Sequence, residues 1–516
     1  MMGGQEQGNA AAHFLDRHVA EGRGARTAFT DPWRNLSYGA LHAAATRFGS
    51  ALAAAGVGPE RRIALLLQDT VDFPIAFWGA IRAGMVPVAL NTLLTPDMIG
   101  YMLADSRAEA LVVSEPLLAV LDAVLPGLPR LRHVIVSRPD GTPPAHGTGF
   151  AAFLDTGRAD APMAACSPDE VACWFYSSGS TGQPKGVKHV HGALRATAET
   201  YADQVLGIRA DDVVFSAAKL FFSYGLGNAI TFPMHVGAQT VLLTGRPTPD
   251  AVLETLRRFR PTIYCGVPTL YASLLAHPAI GPGAGSDRLR RCVSAGEALP
   301  RHIGEHWSAV VGADILDGIG STEMLHIYLS NRPGEVHYGT TGRAVPGYTL
   351  RIVDEQGREA PVGTAGELLV RGPSAAEGYW NQRARSRRTF EGEWTRTGDT
   401  YLCDAEGFYH YCGRADDMLK VGGIWVSPFE VEAALASHPW VLEAAVVGHE
   451  DAEGLVKPRA FVVLKQDGAP PPELFETLKE HVKSQIGPWK YPRWIDVVAE
   501  LPKTATGKIQ RFRLRR

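Results

Sequence analysis

One short stretch of the sequence, Tyr176 to Gly186, brings together the residue types that bind phosphate groups. Glycines let the backbone approach an anion closely, and hydroxyl and backbone N–H groups donate hydrogen bonds to phosphate oxygens. Lys185 adds a positive charge. The stretch is not the common P-loop, because no Gly-Lys-Ser/Thr follows a first glycine at the required spacing. The candidate phosphate-binding residues are Ser177, Ser178, Gly179, Ser180, Thr181, Gly182 and Lys185.

The sequence on either side predicts which elements hold this stretch. The apolar run Val171–Tyr176 is typical of a buried strand, and apolar residues then recur at helical spacing at positions 194, 198, 201 and 205. We therefore expect the phosphate-binding stretch to connect a strand to a helix. A stretch rich in serine and glycine is by itself more often a flexible turn, so the neighbouring elements support the functional interpretation.

Predicted strands and helices alternate through the first part of the chain. Buried strands are predicted at 63–67, 86–90, 110–113 and 134–136, and helices at 41–52 and 71–82. Such repetition indicates parallel sheets with helices on both faces. After the segments 351–353 and 367–371 the pattern changes to short strands and turns, and after Gly413 to a compact α+β unit. The predicted fold is α/β, with a large N-terminal domain of stacked, mostly parallel αβ sheets, a small β subdomain and a small α+β C-terminal domain.

Composition and charge narrow the possible functions. The chain has 516 residues, 45% hydrophobic and 20% charged, which is usual for a folded protein of more than one domain. Because the net charge is −3 and no basic stripe is present, we expect no nucleic-acid partner. The sequence has no apolar run long enough to predict a membrane span. Its polar start does not have the pattern of a signal peptide. The six scattered cysteines are typical of free thiols, so we expect a cytoplasmic protein.

Five further motifs follow the phosphate-binding stretch. They are Ser294-Ala295-Gly296-Glu297, Gly320-Ser321-Thr322-Glu323, Thr397-Gly398-Asp399, Gly413-Arg414-Ala415-Asp416-Asp417 and Pro502-Lys503-Thr504-Ala505-Thr506-Gly507-Lys508. Together these six stretches resemble, in type and order, the signature of the adenylate-forming superfamily of acyl- and aryl-CoA synthetases, peptide-synthetase adenylation domains and beetle luciferases. Residues 219–228 and 320–327 are similar to the benzoate–CoA ligase branch of that superfamily.

This resemblance implies a reaction in two halves. A carboxylate attacks the α-phosphate of ATP to give an acyl-AMP and pyrophosphate, and the thiol of CoA then displaces AMP. The implied enzyme is an AMP-forming acid–thiol ligase that acts on benzoate or on an amino- or hydroxy-substituted benzoate. ATP, Mg²⁺ and CoA are its implied cofactors and substrates.

The resemblance also assigns roles around the nucleotide. Glu323 is the implied Mg²⁺ ligand, because this ion prefers oxygen donors and is commonly shared with phosphates. Thr322 is the implied contact of the α-phosphate. An ionised Asp399 would accept hydrogen bonds from both ribose hydroxyls, with Arg414 as a further ribose or phosphate contact. The expected adenine walls are Ala295, Gly296, Glu297, Asp317, Gly318, Ile319 and Gly320. Many family members have an aromatic residue in place of Ile319, so ring stacking is expected to be weaker here.

Two further assignments concern the C-terminal part of the chain. Lys508 matches the catalytic lysine of the superfamily, whose ammonium group would stabilise charge that develops in the transition state. Asp416 matches the hinge, residues 414–417, between an N-terminal domain, 1–413, and a mobile C-terminal domain, 418–516. The candidate CoA contacts are Lys420, Gly422, Gly423 and Trp425. The pair Gly422-Gly423 could equally be only a hairpin turn.

The predicted acid pocket is rich in aromatic side chains. Its candidate ring contacts are Phe222, Ser223, Tyr224, Gly225, His326 and Ile327, with Phe221 beside them. Aromatic clusters are more often ordinary core, but edge-to-face packing would also suit a benzene ring. Benzoate ligases often have alanine where this chain has Ser223. The Ser223 hydroxyl could bond an amino or hydroxyl group on the ring, or its own backbone.

Other functions remain open at this point. A stand-alone adenylation protein would pass the acid to the phosphopantetheine arm of a carrier protein, although the benzoate-branch motifs favour free CoA. A non-enzymatic sensor of acyl-adenylates is disfavoured by the presence of Glu323, Asp399 and Lys508. A luciferase-like oxygenase is disfavoured only by the branch resemblance. The expected partners are a small aromatic acid, ATP and CoA, without nucleic acid or membrane, in a monomer or homodimer.

Overall fold

A computed structural model describes most of the chain. The described residues are 8–177, 183–282, 286–414, 417–421, 424–451, 455–465, 472–487, 490–503 and 509–515. The helices are α1 (Arg17–Ala20), α2 (Tyr38–Ala54), α3 (Asp72–Arg82), α4 (Pro96–Ser106), α5 (Glu115–Leu118), α6 (Phe150–Asp155), α7 (His191–Thr197), α8 (Ser223–Leu226), α9 (Phe232–Val236), α10 (Pro249–Phe259), α11 (Pro268–Leu275), α12 (Arg301–Val311), α13 (Arg383–Thr389), α14 (Pro428–Ala436) and α15 (Leu474–Ile486). Short π-helical segments occur at Ala12–Asp16, Ala198–Leu206 and Gly227–Thr231.

Most strands of the large domain lie in two sheets. The strands up to residue 190 are β1 (Thr27–Thr30), β2 (Asn35–Ser37), β3 (Arg62–Leu66), β4 (Val86–Ala89), β5 (Ala110–Ser114), β6 (His133–Ser137), β7 (Thr148–Gly149), β8 (Val171–Ser177) and β9 (Lys185–Val190). The next are β10 (Val213–Ser216), β11 (Gln239–Val241), β12 (Ile263–Gly266), β13 (Arg291–Ser294), β14 (Ile315–Gly320), β15 (Ile327–Ser330) and β16 (Arg343–Ala344).

The remaining strands form smaller units, except β19, which joins the first large sheet. They are β17 (Thr349–Val353), β18 (Gly366–Arg371), β19 (Gly378–Tyr379), β20 (Phe390–Glu391), β21 (Trp394–Cys403), β22 (Tyr409–Arg414), β23 (Leu419–Val421), β24 (Ile424–Val426), β25 (Val441–Glu450), β26 (Val456–Leu464) and β27 (Trp494–Val497). An antiparallel five-stranded sheet contains β17, β18 and β20 to β22. It is the predicted β subdomain.

Both large sheets are parallel in their centres; the first is antiparallel at one edge and the second at both edges. The first has eight strands in the order β19-β9-β8-β4-β3-β5-β6-β7, and β8 to β7 run parallel. The second has nine strands in the order β16-β15-β14-β13-β12-β10-β11-β1-β2. All residues of β5 and β12 are buried, as expected for parallel strands covered on both faces. The predicted α/β class and stacked sheets are confirmed.

Local sequence explains where the helices of this framework begin and end. The Ser37 hydroxyl caps α2 by accepting a hydrogen bond from the Ala40 N–H, and Thr248 caps α10 in the same way. Helices α2 and α3 pack so closely that a Cβ on Gly49 would lie 2.5 Å from the Gly79 carbonyl oxygen. These glycines therefore set the distance between two helices that cover the first sheet.

The C-terminal unit has a hydrophobic core of its own. Strands β25, β26 and β27 form a three-stranded sheet, against which α14 and α15 pack. Val431 and Leu435 of α14 are fully buried there beside Leu478 and Val482 of α15. The Arg511 guanidinium also pairs with the buried Glu432 carboxylate at 2.7 Å. These contacts agree with a compact α+β unit at this position.

The prediction for the phosphate-binding stretch is wrong in one respect. The residues after it form strand β9, which pairs antiparallel with β8 from Ser177↔Lys185 to Val171↔Val190, and helix α7 begins only at His191. The stretch therefore connects two strands of one hairpin instead of a strand and a helix. Sequence patterning missed β9 because Lys185 and His189 occupy buried positions in it, where apolar residues are expected.

The buried histidines predict how stability depends on pH. Burial lowers the pKa of His191 and His189 to about 4 each, from 6.5. The folded state therefore binds fewer protons than the unfolded state between about pH 4 and 6.5, and stability is lost as the pH falls through that window. We expect His191→Asn to reduce the loss of unfolding free energy between pH 7 and pH 5, measured by urea unfolding.

A matched control uses a histidine on the surface. His146 is exposed, so His146→Asn should leave the pH dependence as it is in the wild type. The interpretation fails if His191→Asn and the wild type lose the same unfolding free energy between the two pH values.

Candidate active site

The two large sheets meet at a turn that follows strand β14. This turn, Thr322–Met324, is a single 3-10 turn capped by the Ser321 hydroxyl. His189 of β9 donates from Nε2 to the Thr322 carbonyl at 2.7 Å, because a carbonyl oxygen can only accept. Burial lowers the pKa of this histidine to about 4, so the ring is neutral. The backbone N–H of Ala376 donates to the Glu323 carbonyl at 2.8 Å. The turn is thus anchored to the first sheet although it belongs to the second.

Glu323 points from this turn towards Lys185. The Lys185 ammonium donates to Oε1 of Glu323 at 2.7 Å, and the Tyr379 hydroxyl donates to the same oxygen at 2.8 Å. Burial acts to raise the pKa of Glu323, but the Lys185 charge and the hydrogen bonds from Lys185 and Tyr379 together outweigh it and hold the pKa below its usual range. The predicted metal ligand is therefore an ionised carboxylate beside the predicted phosphate-binding lysine.

A strained residue separates Glu323 from the predicted acid pocket. Leu325 has φ +65° and ψ −41°, and the His326 N–H donates to the Met324 carbonyl at 2.7 Å across it. This is a γ-turn with a positive φ, which a leucine adopts only at a cost of roughly 1–3 kcal/mol. The turn reverses the chain, so that β15 begins directly after His326.

His326 lies within a cage of aromatic rings. Its ring centroid lies 4.5 Å from Phe232, 5.3 Å from Tyr201 and 5.6 Å from Tyr224. Burial lowers its pKa to about 3, so the imidazole is neutral. Neither ring nitrogen has a hydrogen-bond partner among the described residues. The cage is therefore uncharged, and the Tyr201 hydroxyl in it also has no hydrogen-bond partner among the described residues.

The other predicted pocket residues lie at the start of α8. The Tyr224 hydroxyl is held by the Gly266 and Val293 carbonyls at 3.1 and 3.2 Å. The half-buried Phe222 packs on Phe221 with centroids 4.5 Å apart. Ser223 is half-buried, and its hydroxyl has no hydrogen-bond partner in the described part of the chain. A bond from Ser223 to its own backbone is therefore not seen.

Two of the predicted ring contacts have a packing role. A Cβ on Gly225 would lie 2.0 Å from the Lys219 carbonyl oxygen, so only glycine fits at this position. Ile327 is 1% exposed, and its side chain packs against Gly318, where a Cβ would approach it to 2.9 Å. These residues shape the backbone around the cage.

The predicted adenine walls come together on adjacent parallel strands. Residues 295–297 follow β13 and residues 317–320 belong to β14, with Ser294 paired to Asp317. Gly296 has φ +94°, which favours glycine, and is exposed. Burial raises the pKa of Asp317 to about 8, so this carboxyl group carries a proton at neutral pH. Ile319 is half-buried against the main core.

Asp399 and Arg414 also meet, as their predicted roles require. They pair across β21 and β22, and the Arg414 guanidinium donates to Oδ1 of Asp399 at 2.9 Å. Gly398, with φ +69°, lies under the guanidinium, because a Cβ there would approach Nη2 to 2.8 Å. The Asp399 carboxylate, 7% exposed, is thereby fixed in orientation.

Comparisons with known proteins agree with this geometry. Residues 16–380 match the family model of the AMP-binding enzyme, and residues 430–508 match the model of the AMP-binding enzyme C-terminal domain. The chain belongs to the AMP-binding enzyme family. The predicted superfamily is therefore confirmed, and the two models cover most of the chain.

Individual relatives of this AMP-binding enzyme support the predicted branch. The chain is 55% identical over 508 residues to a 4-hydroxybenzoate–CoA/benzoate–CoA ligase of Rhodopseudomonas palustris, covering 98% of this chain and 94% of that one. A crystal structure of a benzoate CoA ligase from Burkholderia xenovorans LB400 is 51% identical with TM-score 0.91, covering 98% and 100% of the chains. An anthranilate CoA ligase in complex with anthranoyl-AMP is 41% identical with TM-score 0.93, covering 98% and 96%.

Several predicted site residues of this AMP-binding enzyme lie outside the described residues. They are Ser178, Gly179, Ser180, Thr181, Gly182, Asp416, Gly422, Gly423 and Lys508, together with the side chains of Lys420 and Trp425. Strands β23 and β24 on either side of residues 422–423 pair as Val421↔Ile424. Ser177 is described, and its hydroxyl is buried without a hydrogen-bond partner among the described residues.

Sequence reasoning missed four residues of the site. His189 and Tyr379 hold the turn that carries Glu323, and Tyr201 and Phe232 surround His326. The sequence pattern predicts only that Tyr201 lies on the apolar face of a helix. Tyr379 gave no signal in the sequence, because its partners lie 56 and 194 positions away.

Proposed function

We propose that this protein is an ATP-dependent aryl-CoA ligase that activates benzoate, or an amino- or hydroxy-substituted benzoate, through an aroyl-AMP. The products are the aroyl-CoA thioester, AMP and pyrophosphate. The observation that carries the proposal is the position of Glu323 and His326 on either side of one turn. One residue contacts the phosphate-binding Lys185 and the other lies in an aromatic cage. An aromatic acid whose ring lies against His326 would have its carboxylate close to the nucleotide phosphates.

The nucleotide side of the site has a set of complementary charges. Glu323 would hold Mg²⁺, and its donor chemistry fits, because a single carboxylate suffices for an ion that is shared with phosphates. When bound, the ion would supply positive charge that lowers the repulsion between phosphate and attacking carboxylate. Lys185 would contact phosphate oxygens and Thr322 the α-phosphate. Asp399, oriented by Arg414, would accept the ribose hydroxyls.

The acid side of the site is apolar and uncharged. The neutral His326 would pack against a benzene ring, while Phe232 and Tyr201, fully buried around it, would hold the imidazole in place. Tyr224 would add a wall whose position is fixed by two backbone carbonyls. The adenine wall at Ile319, which lacks an aromatic ring, would bind the purine by apolar packing.

The domain assignment and the C-terminal residues belong to the same proposal. The N-terminal domain, 1–413, would bind ATP and acid, and the C-terminal domain, 418–516, would turn about the hinge at Asp416. Lys508 would act in adenylation, and Lys420, Gly422, Gly423 and Trp425 would face CoA in the second half-reaction. The separate core of the C-terminal unit supports independent movement.

A carrier-loading protein is the alternative, and it would use the same first half-reaction. Full-length similarity to CoA ligases favours free CoA as the acceptor. The described helices include none that is long and apolar enough to cross a membrane. The cytoplasmic location and a monomeric or homodimeric state remain predictions.

A CoA-dependent AMP-release assay over benzoates, cinnamates and fatty acids tests the proposed activity. We expect kcat/KM to be highest for benzoates, and Lys508→Ala to lose aroyl-AMP formation while it still converts supplied aroyl-AMP to the thioester. Loss of one preorganised charge of this kind costs roughly 10²–10³ in rate. Fatty acids as the best substrates, or equal loss of both half-reactions, would contradict the proposal. AMP release that depends on a carrier protein and not on CoA would favour the alternative.

The unpartnered Ser223 hydroxyl predicts a preference among ring substituents. If it faces the ring, plain benzoate leaves it unpaired at a cost of roughly 1–3 kcal/mol, which an amino or hydroxyl group would remove. We expect 2-aminobenzoate or a hydroxybenzoate to be accepted at least as well as benzoate. Ser223→Ala should lower that ratio about tenfold. Unchanged ratios of kcat/KM would exclude Ser223 from substrate selection and make benzoate the preferred acid.

A further inference from the structure

Two donors converge on one oxygen atom at the junction of the sheets. Oε1 of Glu323 accepts from the Lys185 ammonium at 2.7 Å and from the Tyr379 hydroxyl at 2.8 Å. The Lys185 ammonium also donates to the Tyr379 hydroxyl oxygen at 2.8 Å. No side chain of the described residues donates to Oε2 of the same carboxylate. One oxygen is therefore held by the protein and the other is left for a cation.

The two donors differ in how firmly the protein holds them. Tyr379 is 5% exposed, and its strand β19 pairs with β9 through Tyr379↔Val187. Its backbone N–H donates to the Ser386 hydroxyl at 3.0 Å, and its ring packs on Phe390 with centroids 5.3 Å apart. The phenol therefore has no freedom to leave Glu323 without moving the strand.

Lys185 is the donor that can change partners. Its ammonium lies at the end of a flexible four-carbon stem, and its second described contact is the uncharged phenol. In the proposed function it also contacts the nucleotide phosphates, whose charge exceeds that of one carboxylate. The same ammonium cannot satisfy both anions fully, so nucleotide binding draws it away from Oε1.

We propose that Tyr379 is the permanent hydrogen-bond donor that orients Glu323, and that Lys185 is an exchangeable donor that moves from Glu323 to the nucleotide phosphates. The proposal rests on the proposed role of Glu323 as the metal ligand. Tyr379 acts through Glu323 and is a positioning residue. Its phenolic proton goes to the carboxylate, because the Thr389 hydroxyl at 3.3 Å is the more distant and uncharged acceptor.

The roles of Tyr379 and Lys185 predict different effects on the binding of the metal and of the nucleotide. Without the Tyr379 hydroxyl, Glu323 loses its last protein donor when Lys185 leaves, and the metal-dependent part of nucleotide binding weakens. Without the Lys185 charge, phosphate binding weakens whether or not a metal is present. A group that only stabilised the fold would affect both parts equally.

Binding of Mn²⁺, used in place of Mg²⁺, tests this division without turnover. ATP affinity is measured by calorimetry in the absence of acid, with saturating Mn²⁺ and with EDTA, so that the gain in affinity on adding Mn²⁺ reports binding of the ion by the protein. AMP binding without metal is measured in the same way. We expect Tyr379→Phe, which keeps the ring, to weaken Mn²⁺ binding about 10- to 100-fold and to leave AMP affinity unchanged. Lys185→Met should weaken the binding of ATP both with and without Mn²⁺.

Two controls separate the possible failures. Thr389→Val removes the other partner of the phenol and should bind Mn²⁺ as the wild type does. Glu323→Gln should lose Mn²⁺ binding. If Glu323→Gln binds Mn²⁺ normally, the proposed metal ligand is wrong and this inference falls with it. If Glu323→Gln loses binding but Tyr379→Phe does not, only the role of Tyr379 is overturned.

Discussion

The ion pair between Lys185 and Glu323 joins the two large sheets at the place where the candidate chemistry lies. Lys185 belongs to the eight-stranded sheet, and Glu323 follows the last parallel strand of the nine-stranded sheet. A buried pair of this kind adds little net stability, because desolvation of both charges offsets their attraction. The pair is therefore better explained by function than by folding. Tyr379 and His189 hold it in place from neighbouring strands, so that the backbone of both sheets determines the position of one carboxylate.

The turn after Glu323 gives the site its two compartments. The γ-turn at Leu325 changes the chain direction within three residues. Glu323 before it therefore lies among charged groups, and His326 after it lies among aromatic rings. Leu325 is 3% exposed, and its burial supplies the packing that offsets the strained φ. On one side, ionised and cationic groups suit phosphate and metal. On the other side of the turn, the neutral His326 and the rings around it form a surface to which an aromatic ring could bind.

Local patterns in the sequence were sufficient for much of this architecture. The buried run Ala110–Val113 and the helix Pro428–Ala436 were found with nearly correct ends, because their apolar periodicity is regular. The motifs around Glu323 and Asp399 were found because they resemble, in type and order, the signature of the adenylate-forming superfamily. Strand β9 was missed for the opposite reason. Its buried charged and polar residues are satisfied by partners far away in the sequence, and such partners leave no local signal.

The most direct test of the account follows the carboxylate oxygen of the acid. Benzoate labelled with ¹⁸O in both carboxylate oxygens is turned over with ATP and CoA, and AMP and pyrophosphate are analysed by mass spectrometry. If the carboxylate attacks the α-phosphorus, the bond from carbon to that oxygen breaks when the thiol attacks. We then expect one ¹⁸O atom in AMP and none in pyrophosphate. Unlabelled AMP accompanied by thioester formation would contradict an aroyl-AMP intermediate.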